Sequence, residues 1–392
     1  MSVLNYPINH KRRLLDYLHS RQKEMIDLLE QLVNAESPSN IPESQQKVMS
    51  LLKQNLQKKG YQVSHLLGKE TGGQLFAKPH NRVPHQPLQL ILGHCDTVWN
   101  LGTLAKMPLY QKGDKMYGPG IYDMKAGLVQ MIFALEAIQA LEIAPKVTPV
   151  IFINSDEEIG SIESKQRISR LAKKMNRVFV LEPSLGIEGK LKTRRKGVAR
   201  FSLTVFGKAA HAGLEPEKGA SAILELSFLI QKLFALNNPE KGITVNVGTI
   251  DGGIRPNVIA PVSSAVVDVR VLHQEDMPLI EQAIKNLKPT LPNIKIEIEG
   301  YFEHPPMEKT LRNENLWELA KELASEIGLD LEDGTAGGSS DGNSTSIYAP
   351  TLDGLGAVGD GAHSPDEFIY WQQMTERSAL LAKLLISEVL ST

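Results

Sequence analysis

The chain has 392 residues, 42% of them hydrophobic and 22% charged, which is enough for two cores and argues against disorder on the scale of a domain. A formal net charge of −2 provides no overall field that would select nucleic acid or a membrane surface. The single cysteine, Cys95, excludes an internal disulfide framework and a thiolate zinc site.

In chain order, residues 1–39 carry charges throughout and lack an apolar signal core. The longest apolar stretches, such as residues 147–153, are too short to span a bilayer, so a soluble cytoplasmic protein is expected. The basic runs at 11–13 and 194–196 read as solvated faces. Leu14, Leu18, Met25, Leu28, Leu29 and Leu32 recur at helical spacing, predicting one amphipathic helix over 14–33. A second helix is expected over 45–58. Short strands follow over 61–67 and 74–77. The nearly continuous apolar run 87–93 reads as a buried parallel strand, then a helix over 124–141 and buried strands over 147–154 and 177–181. Strands alternating with helices predict an α/β sheet, mixed or parallel, with helices on both faces.

From Lys196 the pattern changes to one-faced strands, in which apolar and polar residues alternate, as at Val198, Phe201, Leu203 and Val205. The order is strand 197–206, helix 220–236, strands 243–250 and 264–272, helix 277–287, strand 294–298. This is the split βαβ order of a ferredoxin-like α+β domain. Helices near 314–327 and 371–390 return to the first style. The expected organisation is therefore a main domain over 1–195 and 304–392, with an inserted domain over 196–303.

Chemistry-bearing residues gather at predicted strand ends. Gly93-His94-Cys95-Asp96-Thr97 follows the 87–92 strand, and His94 and Asp96 at i and i+2 share one side. Open α/β sheets bind ligands at this rim, and a carboxylate can orient a ligating imidazole. Taken alone, the pair fits a surface or capping role at least as well. Asp123 follows the tight turn Tyr117-Gly118-Pro119-Gly120-Ile121-Tyr122 and reads equally as a helix N-cap or as a carboxylate bridging two cations. Asp156-Glu157-Glu158 ends another buried strand, where three acids are costly without a cation or solvent, though a solvated turn is the other reading. Glu182 ends a third strand. His363 stands in a loop of small and acidic residues through Glu367; by itself such a histidine is more often structural. As a set, imidazoles and carboxylates without thiolate suit zinc, with manganese or cobalt as alternatives.

These motifs, in this order across nearly the whole chain, resemble the dinuclear metallohydrolase family of carboxypeptidase G, aminoacylase and acetylornithine deacetylase. The matching elements are His94-Cys95-Asp96-Thr97, Gly118-Pro119-Gly120 with Asp123-Met124-Lys125, Asp156-Glu157-Glu158, Glu182-Pro183 and Gly361-Ala362-His363-Ser364. The resemblance implies two divalent ions, zinc or else cobalt or manganese. It implies that Asp123 bridges them, that His94 and Glu182 complete one site, and that Glu158 and His363 complete the other. Asp96 would buttress His94, and Glu157 would be the general base. In the inserted domain, which the resemblance makes a lid and dimer surface, His211 in His211-Ala212-Gly213 matches an element that holds the substrate carbonyl oxygen. Asn257 and Arg270 match residues that bind the substrate carboxylate, and Arg suits that task through its bidentate fork. Gly338 lies in a glycine-rich segment, 337–343, that is similar to a substrate-side loop.

The implied reaction is hydrolysis of a peptide or N-acyl amide next to a free carboxylate by a homodimer acting on small molecules. Val98-Trp99, Leu101-Gly102-Thr103-Leu104, Arg195-Lys196-Gly197 and Glu182 favour the glutamate carboxypeptidase branch. An N-acyl-amino-acid deacylase, or a metal-binding relative that no longer catalyses, are the alternatives. A non-metal serine hydrolase is the remaining rival and is disfavoured. Cys95 departs from the usual pattern and is expected to face the core, away from the metals.

Overall fold

The computed structural model describes residues 9–389, so the last residue of the helix expected over 371–390 and the chain's first eight residues lie outside it. Two compact units form. One takes in the chain up to Thr193 with Lys309–Thr335 and the segment from Ser340 on; the other is Arg194–Glu308 with Ala336–Ser339.

The first unit is built on a six-stranded mixed sheet. Its strands run in the order Tyr61–Leu66, Gln74–Pro79, Thr148–Asn154, Leu88–His94, Arg177–Val180, Thr351–Leu352. The first two strands pair antiparallel and the last four are mutually parallel. The continuous apolar runs have the cause expected of them: both faces are covered. Ile91, Ile151 and Phe179 join one core with the helices Gln22–Val33, Ala126–Ala140 and Met374–Ile386. Their chain neighbours Leu90, Leu92, Phe152, Val178 and Val180 join a second core with Ile168 and Ala349. Residues i and i+1 of a strand point to opposite faces, so this is the signature of a two-sided sheet.

The second unit has the order strand Gly197–Phe206, helix Ala222–Phe234, strands Thr244–Gly252 and Val262–Val271, helix Asp276–Lys285, strand Lys295–His304. All neighbouring strands pair antiparallel, with the third strand and the first at the centre of the sheet. Phe201, Leu203, Val205, Val267 and Val269 face the two helices and bury fully, while Arg200, Ser202 and Val266 on the other face stay exposed. This is the ferredoxin-like α+β arrangement.

Three expectations need correction. The 14–33 helix is two helices, Asn9–Ser20 and Gln22–Val33, with Arg21 out of helical geometry between them. The helix expected from 124 starts at Ala126, because Asp123 and Met124 have non-helical backbone angles and Ile121–Lys125 is an irregular turn. The basic run 194–196 is not simply a solvated face: Arg195 is buried and its guanidinium donates to the carbonyls of Gly338 and Ser339. A small sheet of Tyr110–Lys112, Lys115–Tyr117, Gly359–Asp360 and Phe368–Tyr370 was not expected, since strands of two or three residues carry almost no periodicity. Among the described residues, no helix is long and apolar enough to cross a membrane.

Helix Ala126–Ala140 is apolar on nearly every side and buried from Ala126 to Ile138, as suits a helix enclosed by others. Its one acid, Glu136, is buried and accepts hydrogen bonds from Tyr17 Oη and Arg21 Nε, each at 2.9 Å, and pairs with Lys59. Burial alone would raise its pKa, but Lys59, Tyr17 and Arg21 outweigh it and hold the carboxyl below its ordinary value. A depressed carboxyl contributes stability that is present above its unfolded pKa and lost as pH falls through its folded one. Glu136→Gln is therefore expected to cost about 1–3 kcal/mol at neutral pH, from lost hydrogen bonds to a charged group. Urea melts of both proteins should show the difference shrinking below about pH 4, near the ordinary carboxylate range; a pH-independent difference would contradict this role.

Candidate metal centre

Three adjacent parallel strands deliver side chains to one rim of the first unit's sheet. His94 ends Leu88–His94, Glu157 and Glu158 follow Thr148–Asn154 on the short turn Glu157–Ile159, and Glu182 follows Arg177–Val180. This is the carboxyl edge, where α/β sheets hold ligands. Asp123 comes from the irregular turn before helix Ala126–Ala140. The helix's N-cap position is Lys125, so the capping reading of Asp123 is set aside. Gly127 lets this helix approach the strand end: a Cβ there would lie 2.3 Å from the Leu181 carbonyl oxygen. His363 arrives on a loop, with its own backbone in the left-handed region at φ 61°, a conformation that costs a non-glycine residue energy and often marks functional sites.

Electron-pair donors face one another at short range. His94 Nε2 lies 3.3 Å from Asp123 Oδ1 and 3.5 Å from Glu182 Oε1. His363 Nε2 lies 3.1 Å from Glu158 Oε2 and 3.6 Å from Asp123 Oδ2. Asp123 thus turns one oxygen to each imidazole. Single ligand atoms of His94, Asp123 and Glu158 fall within 4.8 Å of one another, as do those of His94, Glu157 and Glu182. Ligands bound at about 2.0–2.2 Å around a tetrahedral zinc stand about 3.3–3.6 Å apart, so the spacing and the donor types fit such an ion.

The other face of His94 is fixed. Its Nδ1 lies 3.1 Å from the Asp96 carbonyl oxygen and 3.3 Å from Asp96 Oδ1, both acceptors. The Nδ1 position therefore carries the proton and Nε2 can present a lone pair. Asp96 is fully buried and does more than orient one ring: Oδ1 accepts from the Glu157 backbone N–H at 3.3 Å, and Oδ2 from the Glu158 N–H at 3.2 Å and from Ser39 Oγ at 2.7 Å. Ser39 and Ser37 were not expected here. Ser37 Oγ donates to the Cys95 carbonyl, and the chain pairs at Pro38 and Thr97. The only signal was Ser-Pro-Ser after a helix, which reads as a generic turn.

The charge state follows from this crowding. Burial would depress the His94 imidazolium, but bonding to Asp123, Asp96 and Glu182 overrides it and raises its pKa well above the ordinary value. Burial would raise Asp123, yet His363 and His94 hold it well below the usual range. Burial and the neighbouring Glu182 push Glu157 well up. Burial and Asp123 carry Glu158 to about 7 against the pull of His363. Bonds to Asp123 and Glu158 lift His363 to about 10. Protonated imidazoles here do the work a cation would do. His94 is 2% exposed and His363 52%, so the centre is closed beneath His94 and open beside His363.

Cys95 lies in the hydrophobic core with its thiol pKa raised, first by burial. Asp156 instead accepts the Glu163 and Ser164 N–H groups. The remaining expected residues belong to the second unit. His211 is exposed, and its Nδ1 accepts the N–H groups of Gly213 (3.2 Å) and Leu214 (3.1 Å), which leaves the proton on Nε2. Asn257 is exposed beside it, its carbonyl accepting the Ala212 N–H. The fork of Arg270 is already engaged by Asp268, through Nε to Oδ1 at 2.8 Å and Nη2 to Oδ2 at 2.9 Å, and its Nη1 donates to the Gly337 carbonyl. Gly338 offers its carbonyl to Arg195. The 337–343 segment is only partly a loop: Asp341–Ser346 is a short helix, closed by a reciprocal capping box between Ser340 and Asn343.

The profile of peptidase family M20/M25/M40 matches residues 90–387, which contain every candidate ligand of the centre. The chain belongs to that family. It is similar to carboxypeptidase G2 of Pseudomonas sp. (strain RS-16), 29% identical over 93% of this chain and 89% of that protein. It is also similar to acetylornithine deacetylase of Buchnera aphidicola, 26% identical over 76% and 79%. A Bacillus subtilis dinuclear metal-binding peptidase of the M20 family shares the fold, with a TM-score of 0.70 at 14% identity over 94% of this chain and 98% of that one. This M20 chain is thus a hydrolytic enzyme, a metal-dependent metallopeptidase or amidohydrolase.

Proposed function

We propose that the enzyme cleaves an amide bond adjacent to a free carboxylate, in the manner of a glutamate carboxypeptidase, with Asp123 bridging two divalent ions. The observation that carries the reading is the placement of Asp123, one oxygen toward His94 and the other toward His363. His94 and Glu182 would hold one ion and Glu158 and His363 the other. Zinc suits this set, and cobalt or manganese would also fit. When bound, the ions polarise the scissile carbonyl and lower the pKa of the attacking water.

The chain's own residues do the rest. Asp96 keeps the His94 proton on Nδ1 and holds the Glu157–Glu158 turn through both backbone N–H groups. Glu157 takes a proton from the water as its oxygen bonds to the carbonyl carbon. It returns that proton to the leaving nitrogen as the C–N bond breaks, giving a carboxylate and an amine. His211 Nε2–H is a candidate donor to a substrate oxygen, and Asn257, Arg270 and the Gly338 segment are candidates for holding the substrate carboxylate. A carboxylate binding Arg270 would replace or share the fork that Asp268 occupies.

The carboxypeptidase branch is supported by the match to carboxypeptidase G2 along nearly the whole chain and by Glu182. An N-acyl-amino-acid deacylase is the second reading, supported by the likeness to acetylornithine deacetylase. Metal-reconstituted enzyme assayed on acyl-glutamates, dipeptides and N-acetyl amino acids separates the two. The expected result is preference for acyl-glutamates. Glu157→Ala should lose about 10²–10⁴-fold in kcat while retaining its bound metal by elemental analysis. Wild-type activity in that variant would remove Glu157 from the role of base.

A cytoplasmic homodimer joined through the second unit completes the proposal. Strand Thr244–Gly252 is a sheet edge, and its Ile250 is 67% exposed. Ile223, Leu224 and Ile254 are also exposed, and Ile223 packs beside Gly253 just beyond that strand. Bare edges and apolar patches of this kind are usually covered. Light scattering should give twice the chain mass for wild type and the chain mass for Ile250→Asp; a monomeric wild type would contradict the dimer.

A further inference from the structure

Glu367 lies four residues beyond His363 and is fully buried. Its carboxylate gathers four N–H donors. Oε1 accepts the backbone N–H groups of Tyr122 (2.9 Å) and Asp123 (3.1 Å). Oε2 accepts the Gly120 N–H (2.8 Å) and the indole Nε1–H of Trp99 (2.9 Å). A carboxylate offers about four acceptor directions, so this one is saturated by donors. It has no lone pair to spare for a cation, and it is absent from the convergent groups found among the described residues.

The four bonds join three segments that carry the centre. Gly120, Tyr122 and Asp123 belong to the turn that presents the Asp123 carboxylate. Trp99 follows Asp96 by three residues. Glu367 itself continues the loop that presents His363, and its carbonyl accepts the Gly118 N–H. The turn needs such an anchor, because Asp123 and Met124 fall outside helical geometry and the turn cannot rely on a regular backbone ladder there. Gly120, at φ 69°, approaches Thr97 so closely that a Cβ would lie 2.4 Å from its Cγ2, which brings the turn and the His94–Thr97 segment into direct packing.

We propose that Glu367 is a positioning residue that fixes the Asp123 carboxylate between His94 and His363 and so sets how tightly the centre holds its pair of divalent ions. The proposal rests on the ligand reading above. Supporting partners one step from the ligands typically change metal affinity about 10–100-fold when removed. Glu367→Gln keeps the side chain's size but turns an NH2 group toward N–H donors, so the turn must shift.

The test is a Co²⁺ titration of wild type, Glu367→Gln and Asp123→Ala, followed by chelator competition and the visible d–d spectrum, with circular dichroism on the metal-free proteins. Folded Glu367→Gln is expected to bind the pair about 10–100-fold more weakly, with a changed d–d spectrum. A role in stability alone would leave the spectrum of the folded protein unmoved. Wild-type affinity and spectrum in Glu367→Gln, with paired binding lost in Asp123→Ala, would overturn the proposal and leave the ligand reading intact. Wild-type binding in Asp123→Ala would overturn the ligand reading, and the proposal with it. If Glu367→Gln does not fold, Trp99→Phe removes one donor; a smaller spectral shift is expected, and an unchanged spectrum and affinity would overturn the proposal.

Discussion

Lone pairs that face each other across 3.1–3.6 Å are the constraint around which the first unit is organised. Carboxylates and imidazoles arranged this way repel unless positive charge stands among them, and burial strengthens that repulsion by removing water. Without a metal the two histidines supply the charge as protons, which is why their pKa values rise while that of Asp123 falls. Divalent ions held by these residues would do the same work with more charge and would leave the imidazoles neutral. The centre is therefore costly as protein alone, and under the proposed ligand reading metal binding would offset that cost and link binding to structure.

The fold meets that cost by over-determining each candidate ligand. Three parallel strands, buried on both faces, end side by side and bring His94, Glu158 and Glu182 to one rim. Asp96, Ser39 and the Glu157–Glu158 backbone form one hydrogen-bonded unit beneath His94. Glycine at 127 lets the central helix approach Leu181 closely. Of the candidate ligands, His363 is the one that is half exposed, on a loop residue in the left-handed region.

Much of this was legible in the sequence because the physics behind it is local. Two-sided burial makes strands 88–94 and 148–154 nearly continuously apolar, and one-sided burial makes 197–206 and 262–271 alternate. The acids and histidines of the candidate centre could be read at apolar strand ends. What was not legible depends on partners that spacing alone does not reveal, most of them distant in sequence. The break at Arg21 lies inside an unbroken helical periodicity and coincides with a guanidinium that reaches Glu136, more than a hundred residues away. The Arg270 fork reads as free until Asp268, two residues back on the same strand face, is seen to fill it. Arg195 looked like part of a solvated basic run and is buried against the carbonyls of Gly338 and Ser339. Glu367 reads from the sequence as one more acid in a loop, since nothing local reveals that it collects N–H groups from a turn about 245 positions earlier.

The central claim is that Asp123 lies between two cations held by His94 with Glu182 and by Glu158 with His363. Anomalous diffraction from crystals grown with zinc tests it most directly. The account predicts two peaks about 3.5–4 Å apart, one beside each Asp123 oxygen. A single peak, no peak, or two peaks that do not share Asp123 would contradict it.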